Sequence, residues 1–354
     1  MYDYLFITHL PAFYKVNLYN RLAMRLKIYV IFIASSSAIR TSDFIGYDLN
    51  FEHVVLYVGD FESRPRLKCT VTLLKLLYGL KYRILVVGGW DLWEFWISVL
   101  TNIKRKNALI VESTIIDSST VGIKSIAKKV FVSRIGRAFP SGRLHQELLN
   151  ALGYSGTSFL TGGVGLFDRK RYTSTLREFT HSFLYVGRLS QEKNLRLLIE
   201  VFNEFSDLGL TIVGSGPLKE ELEGIAHKNI KFKSHVPNQE IGNIYLAHDI
   251  FILPSLSEPW GLVVDEAIHY GLPVLISRNV GCHTELIKEE KTGISFDPYN
   301  KDSLIKAIKH ISEPDRFFLM KKNIAEIDFS KRDEIQIMAY VRASKALSLD
   351  FEGN

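Results

Sequence analysis

Hydrophobic and polar positions along this chain change period repeatedly. Short runs rich in β-branched and aromatic residues give way to longer stretches whose apolar residues recur every three to four positions, the pattern of parallel-sheet α/β architecture. In the first part the pattern predicts strands at Tyr4 to His9, Tyr29 to Ala34, Val54 to Tyr57, Arg83 to Gly88, Leu109 to Ser113 and Ser158 to Leu160. Helices are expected between them at Val16 to Arg25, Leu67 to Tyr78, Leu92 to Thr101, Lys124 to Phe131 and Leu144 to Leu152. A second series predicts strands at Phe183 to Gly187, Leu210 to Val213, Ile230 to Phe232, Ile250 to Pro254, Pro273 to Ser277 and Gly293 to Phe296. Its helices are expected at Leu195 to Phe205, Leu218 to Ala226, Glu240 to Ala247, Leu262 to Tyr270 and Ser303 to His310.

Between the two series, Asp168 to His181 is polar, with Arg169, Lys170, Arg171, Thr173, Ser174 and Thr175, and reads as a linker. The expected organisation is a Rossmann-like domain over 1–168, a linker over 169–181 and a second Rossmann-like domain over 182–330, with a cleft between the domains. A C-terminal helix over 331–354 follows, with a return to the first domain as one option.

Composition narrows the class. With 354 residues and 47% hydrophobic positions, the chain is neither disordered nor fibrous. Charge is unevenly placed: through residue 168 there are 20 basic and 12 acidic residues, and beyond it 24 and 26. The excess of +8 in the first part against −2 in the rest points to an anionic partner for one domain, whether nucleic acid, a membrane surface or a phosphorylated substrate.

Two cysteines, Cys69 and Cys282, lying far apart in the chain, cannot make a disulfide framework or a multi-cysteine zinc site, which fits a reducing compartment. The N-terminus lacks a basic and then apolar leader pattern, and the most apolar stretch, Ile84 to Ile103, is interrupted by Gly88, Gly89, Asp91 and Glu94. A cytoplasmic protein without an integral span is expected.

Several chemistries lack their signatures. No Gly-Lys-Ser/Thr, no Gly-x-Gly-x-x-Gly after the first strand and no Gly-x-Ser-x-Gly occurs, against P-loop, nicotinamide and serine-hydrolase readings. Asp-x-Asp is absent too, so the usual carboxylate pair for a divalent ion on a diphosphate is missing. The histidines show no ligand spacing, and no aromatic-rich basic repeat supports nucleic-acid binding. No metal and no cofactor are expected.

The strongest positive signal is Ser257-Glu258-Pro259-Trp260-Gly261-Leu262-Val263-Val264-Asp265-Glu266-Ala267, directly after the apolar run Ile250 to Pro254. Glu258 falls in the strand-to-helix loop, at the carboxyl edge where open α/β sheets bind ligands, and Pro259 to Gly261 open a helix whose first amides suit a phosphate. Glu266 lies one to two turns further on, beside Leu262, Val263 and Tyr270. Its carboxylate either holds a pair of ribose hydroxyls or escapes to solvent at the helix edge.

Arg188 and Lys193 sit past the end of the strand Phe183 to Gly187, and Gly214-Ser215-Gly216-Pro217 follows the strand Leu210 to Val213, with Pro217 suited to a first helical position. Three phosphate-friendly loops would then share one sheet edge.

These motifs, with Gly187-Arg188-Leu189 and Gly271-Leu272-Pro273-Val274, resemble the donor-binding domain of GT-B retaining glycosyltransferases of glycosyltransferase family 4, from Tyr185 to about Pro298. The resemblance implies that Arg188 and Lys193 bind a donor diphosphate, Glu266 the ribose hydroxyls and Glu258 the hydroxyls of the transferred sugar. Gly214 and Gly216 would line the donor, and Trp260, Gly261 and Leu262 would offer backbone amides, Trp260 also tuning the sugar pocket. The donor is then a UDP-sugar or GDP-sugar, used as co-substrate without an essential metal. Gly281-Cys282 replaces a pair of glycines common in the family, and Cys282 reads as a small packed residue rather than a nucleophile.

Resemblance fades before residue 140. Leu10-Pro11-Ala12-Phe13-Tyr14-Lys15-Val16-Asn17 stands where the family carries a glycine pair, which makes Tyr14 a candidate on the acceptor side. Glu112, in Val111-Glu112-Ser113-Thr114, is the candidate acceptor-side base or orienter, with Asp117 second and a plain strand-end cap as the alternative. Trp90 either stacks on an acceptor sugar or packs with Trp93 and Trp96.

The functional expectation is a hexosyltransferase that moves a sugar, with retention, to a hydroxyl of a glycan. The acceptor would be a glycan or lipid-diphosphate-linked oligosaccharide of cell-surface polysaccharide assembly. The positive first domain is assigned to an anionic membrane surface or lipid diphosphate, giving a peripheral location, and not to nucleic acid. A sugar-nucleotide epimerase, a phosphorylase or a non-catalytic sugar-nucleotide binder are the competing readings.

Overall fold

The computed structural model describes residues 1–38, 48–165, 179–237 and 240–352. Contacts divide the chain into two units, Met1–Phe167 with Phe329–Asn354, and Asp168–Asp328. Residues 169–178 of the expected linker lie outside the described residues.

In the first unit, seven strands are hydrogen-bonded in the order β3-β2-β1-β4-β5-β6-β7: β1 (Tyr2–Thr8), β2 (Ile28–Phe32), β3 (Glu52–Val55), β4 (Tyr82–Val87), β5 (Asn107–Val111), β6 (Arg137–Pro140) and β7 (Thr157–Ser158). All six pairings are parallel. A parallel sheet is covered on both faces, and β1 shows why its strands read as unbroken apolar runs. Leu5 and Ile7 enter one core cluster, with Leu85, Val87 and Leu109; Tyr4 and Phe6 enter the other, with Val30, Ile84 and Phe139.

The last helix, Phe329–Glu352, belongs to this second cluster through Ile337, Tyr340, Val341 and Ala343. Tyr340 stacks on Phe139 at 4.2 Å, its backbone carbonyl accepts from the Tyr4 hydroxyl at 2.7 Å, and Arg25 forms a two-pronged ion pair with Glu334 at 2.6 and 2.8 Å. The C-terminal segment is therefore part of the first unit.

The second unit holds six parallel strands in the order β10-β9-β8-β11-β12-β13: β8 (Ser182–Val186), β9 (Gly209–Val213), β10 (Ile230–Lys233), β11 (Ile250–Leu253), β12 (Val274–Ser277) and β13 (Gly293–Phe296). In both units the order reverses beside the first strand, the doubly wound plan in which ligands bind outside the carboxyl ends of the strands. β9, β8, β11 and β12 are successive neighbours, so the loops that follow them are successive neighbours as well.

Two expectations need correction. Arg137–Pro140 is a strand although the sequence series placed none there, because its four residues are buried and too few to show a period. Pro217 does not open a helix: the helix begins at Lys219, and the Leu218 amide is still bonded sideways to the Leu189 carbonyl at 3.2 Å. Pro314–Glu326, carrying proline at its first turn, is a separate helix within the second unit, and the final helix starts at Phe329.

Candidate donor and acceptor sites

In the second unit the loop after β8 is braced from below. The buried Tyr185 hydroxyl donates to the Arg188 carbonyl at 2.9 Å, and Arg188 itself is exposed, its Nη2 2.8 Å from Glu192. Burial opposes ionisation of Glu192, but bonds from the Ser190 hydroxyl at 2.6 Å, from its own backbone amide and from Arg188 win, holding its carboxyl down at about 2. Asn194, in the left-handed conformation at φ 57°, ends the 3-10 turn Gln191–Lys193 and starts the helix Leu195–Phe202.

The Gly214-Ser215-Gly216 loop after β9 lies directly against this loop. Leu189 donates to the Ser215 carbonyl at 2.9 Å, and a Cβ on Gly214 or Gly216 would fall 1.9 Å from the Gly187 carbonyl oxygen or 2.3 Å from that of Leu189. The two glycines are there because two backbones touch. That contact explains them without a ligand.

The loop after β11 is tied to both neighbours. The Leu256 amide donates to the Glu192 carbonyl at 2.8 Å, the Gly281 amide to the Glu258 carbonyl at 2.9 Å and the Cys282 amide to the Trp260 carbonyl at 3.0 Å. Lys193 Nζ donates to Glu258 Oε2, both side chains being largely buried at 15% and 16% exposure. Thus the structure brings Arg188, Lys193 and Glu258 to one sheet edge on fixed backbone.

Gly261 stands at the N-cap of the helix Leu262–His269 with φ 97° and no side chain capping the first turn. The Trp260 ring, 4% exposed, points into the unit and donates to Asp265 Oδ2 at 2.7 Å. Only the backbone of Trp260 is left for a ligand, so the expected tuning of a sugar pocket by its ring does not hold. Cys282 is fully buried, as a packed residue is.

Glu266 accepts a hydrogen bond from the Tyr245 hydroxyl at 3.0 Å, and the Tyr245 ring stacks on Tyr270 with centroids 5.1 Å apart. Burial first, then Glu266, push the Tyr245 phenol well above its ordinary range, so it stays a donor. Glu266 is half-buried and oriented rather than swung into solvent. Sequence reading missed Tyr245; its signal, one aromatic in a short amphipathic run, is indistinguishable from a core residue.

In the first unit, Glu112 follows β5 and lies 3.5 Å from the ammonium of Lys15, which is 6% exposed and also donates to Thr8 Oγ1 at 3.2 Å. Burial alone would lower the Lys15 pKa; Glu112 outweighs it, and the net direction is upward. Asp117 accepts from the Thr114 amide at 3.0 Å, closing its own turn. Trp90 is half-buried against the core cluster with Trp96, whose indole donates to the Trp90 carbonyl at 2.8 Å; Trp93 is exposed, so of the packing alternative for Trp90 only the Trp96 part holds. Tyr14 is half-buried on the first helix, edge-on to Phe13. Unforeseen in the sequence, His9 and Asp91 pair at 2.7 Å beyond the ends of β1 and β4.

Two parallel-sheet units of this kind define the GT-B fold. Solved structures agree: sucrose-phosphate synthase from Thermosynechococcus elongatus superposes with a TM-score of 0.73 at 17% identity, covering 99% of this chain and 100% of that one. HepE of Anabaena, solved in complex with UDP and glucose, gives 0.67 at 15% identity with all of both chains covered.

Residues 168–325 match the family model described as glycosyl transferases group 1. Sulfoquinovosyl transferase SQD2 of Arabidopsis thaliana is 34% identical over 130 residues, 36% of this chain and 25% of the relative. The UDP-Gal:alpha-D-GlcNAc-diphosphoundecaprenol alpha-1,3-galactosyltransferase of Escherichia coli is 30% identical over 166 residues, 44% of this chain and 43% of the relative. These curated relatives are matched over a quarter to under half of their own length.

Proposed function

We propose that this protein is a retaining glycosyltransferase of family 4 that moves a hexose from a UDP-sugar or GDP-sugar to a hydroxyl of a glycan. The observation that carries the reading is the sheet edge of the second unit, where Arg188 and Lys193 on the loop after β8 and Glu258 on the loop after β11 are joined by backbone and side-chain bonds, within the segment that matches glycosyl transferases group 1. Arg188 and Lys193 offer fixed positive charge to a departing diphosphate, which is electrostatic catalysis needing no essential metal. Glu258 accepts from the hydroxyls of the transferred sugar, and Glu266, aimed by Tyr245, from the ribose. On entry of the donor, its phosphates replace Glu192 and Glu258 as partners of the two cations. The leaving phosphate then takes the acceptor proton, which leaves Glu112 the role of orienter.

A lipid-linked acceptor at an anionic membrane, giving a peripheral cytoplasmic location, completes the reading. It is supported by the helix Ile123–Ser133 of the first unit, whose outer face exposes Ile123, Ile126 and Val130 at 86%, 62% and 49%, with exposed Lys124 and Lys129 on either side. No helix among the described residues is long and apolar enough to cross a membrane.

The test is product analysis by mass spectrometry, using a panel of nucleotide sugars with lipid-diphosphate-linked oligosaccharides, with and without chelator. Transfer of one hexose, undiminished by chelator, is expected. Donor consumed only as an isomer, or donor bound and never transferred, would favour an epimerase or a binding protein instead.

A further inference from the structure

The first unit contains a small pocket beside the carboxyl ends of β5 and β6, lined among others by Lys15, Glu112, Ser141, Thr161, Gln336 and Tyr340. Gln336 and Tyr340 come from the last helix and are 4% and 1% exposed. Neither the Gln336 amide nor the Tyr340 hydroxyl makes a hydrogen bond among the described residues, although both line the pocket. Neither group is sealed off from that space, so a partner entering it meets two polar groups that no protein atom engages.

The chemistry of the walls selects that partner. The Ser141 hydroxyl donates to the Val111 carbonyl at 3.3 Å and the Thr161 hydroxyl to the Gly163 carbonyl at 2.8 Å, which leaves their oxygens as acceptors. Glu112 is a further acceptor, whereas Lys15, the Gln336 amide and the Tyr340 hydroxyl donate. A phosphate brings only acceptors and would meet Glu112 unfavourably; an ammonium brings only donors and would meet Lys15. A hydroxyl brings both. The Lys15 and Glu112 charges cancel, which suits a neutral group, and the space admits about one water-sized group.

We infer that this pocket seats a single non-reacting hydroxyl of the acceptor, held by Gln336 and Tyr340 against the Lys15 and Glu112 pair. It rests on the glycosyltransferase reading for the word acceptor, but the binding itself does not. A hydroxyl sunk among side chains so buried is a handle and not the nucleophile, so Gln336 and Tyr340 are binding residues that set which acceptor is accepted. Sites built to bond a hydroxyl discriminate strongly against analogues without it.

The experiment is saturation-transfer NMR on the full chain with a panel of methyl hexopyranosides and their monodeoxy analogues, with glycerol and inorganic phosphate as further probes. At least one hexoside is expected to bind, and one of its deoxy analogues to bind at least tenfold more weakly. Gln336→Leu and Tyr340→Phe should each weaken that hexoside about tenfold; Tyr340→Phe keeps the ring on Phe139, so it reports even where Gln336→Leu does not fold. Glycerol binding in place of the hexosides would keep the hydroxyl site and move its source to a lipid head group. Hexoside binding untouched by both substitutions, displacement by inorganic phosphate, or no probe bound while both variants are merely more heat-stable, as for a structural water, would overturn the inference. A separate titration of the wild-type chain with UDP reports the donor reading, and its failure leaves the hexoside result standing.

Discussion

His283 shows how far a single buried residue can depart from its ordinary chemistry. It is 6% exposed at the head of the π-helix His283–Glu289, and its Nε2 has no hydrogen-bond partner among the described residues. Burial first, then the charges of Lys288 and Arg278, lower its pKa from 6.5 to about 4. Below 6.5 the unfolded chain takes up a proton that the folded one refuses, so this contribution to stability is complete above 6.5 and drains away as the pH falls toward 4. The shift corresponds to about 3 kcal/mol. Chemical denaturation of the wild type should therefore show stability falling over that window, and in His283→Leu that part of the slope should vanish. An equal slope in both proteins would assign the acid sensitivity elsewhere. Glu192 overlaps only the acid end of this window: with its carboxyl held down at about 2, its stabilising contribution is intact above 4.5 and fades below.

At the scale of elements, the helix Ile123–Ser133 carries its own prediction. Its inner face buries Ser125, Phe131 and Val132, while Ile123, Ile126 and Val130 form the outer stripe. Replacing these three by serine removes apolar burial worth about 1 kcal/mol apiece at a lipid interface. Binding to anionic vesicles, measured by sedimentation, should fall at least about tenfold while the fold persists, because the stripe is no part of the core. Unchanged binding would remove this helix from the membrane reading.

The same scale shows what sequence can carry. Strands buried on both faces, such as Ile250–Leu253 and Tyr82–Val87, announce themselves as apolar runs, and the order of elements follows from them. Arg137–Pro140 does not, because four buried residues with an arginine and a proline at the ends show no period. Around the donor edge, Glu258, Lys193 and Arg188 were legible because loops after parallel strands share an edge. Tyr245 and Lys15 were not, since each reaches its carboxylate partner from a separate element, and neither was Gln336, which the last helix brings into the first unit. The direction of the Trp260 ring was equally out of reach, being fixed by its bond to Asp265.

For the whole molecule, the charge split gains a structural frame. The positive excess lies in the unit with the Ile123 stripe, and the near-neutral unit carries the edge with Arg188, Lys193, Glu258 and Glu266. Lys15 adds little to that excess, because Glu112 neutralises it locally. The central claim is that the second unit binds and activates a nucleotide sugar through those four side chains. The most direct measurement is turnover of the best nucleotide sugar from the panel by the wild type and by Glu258→Ala combined with Glu266→Ala, with circular dichroism confirming the fold. A loss of at least about a hundredfold in kcat/KM, equivalent to about 2.7 kcal/mol of transition-state stabilisation, is the predicted result. Turnover by the folded double variant at the wild-type rate would contradict the account.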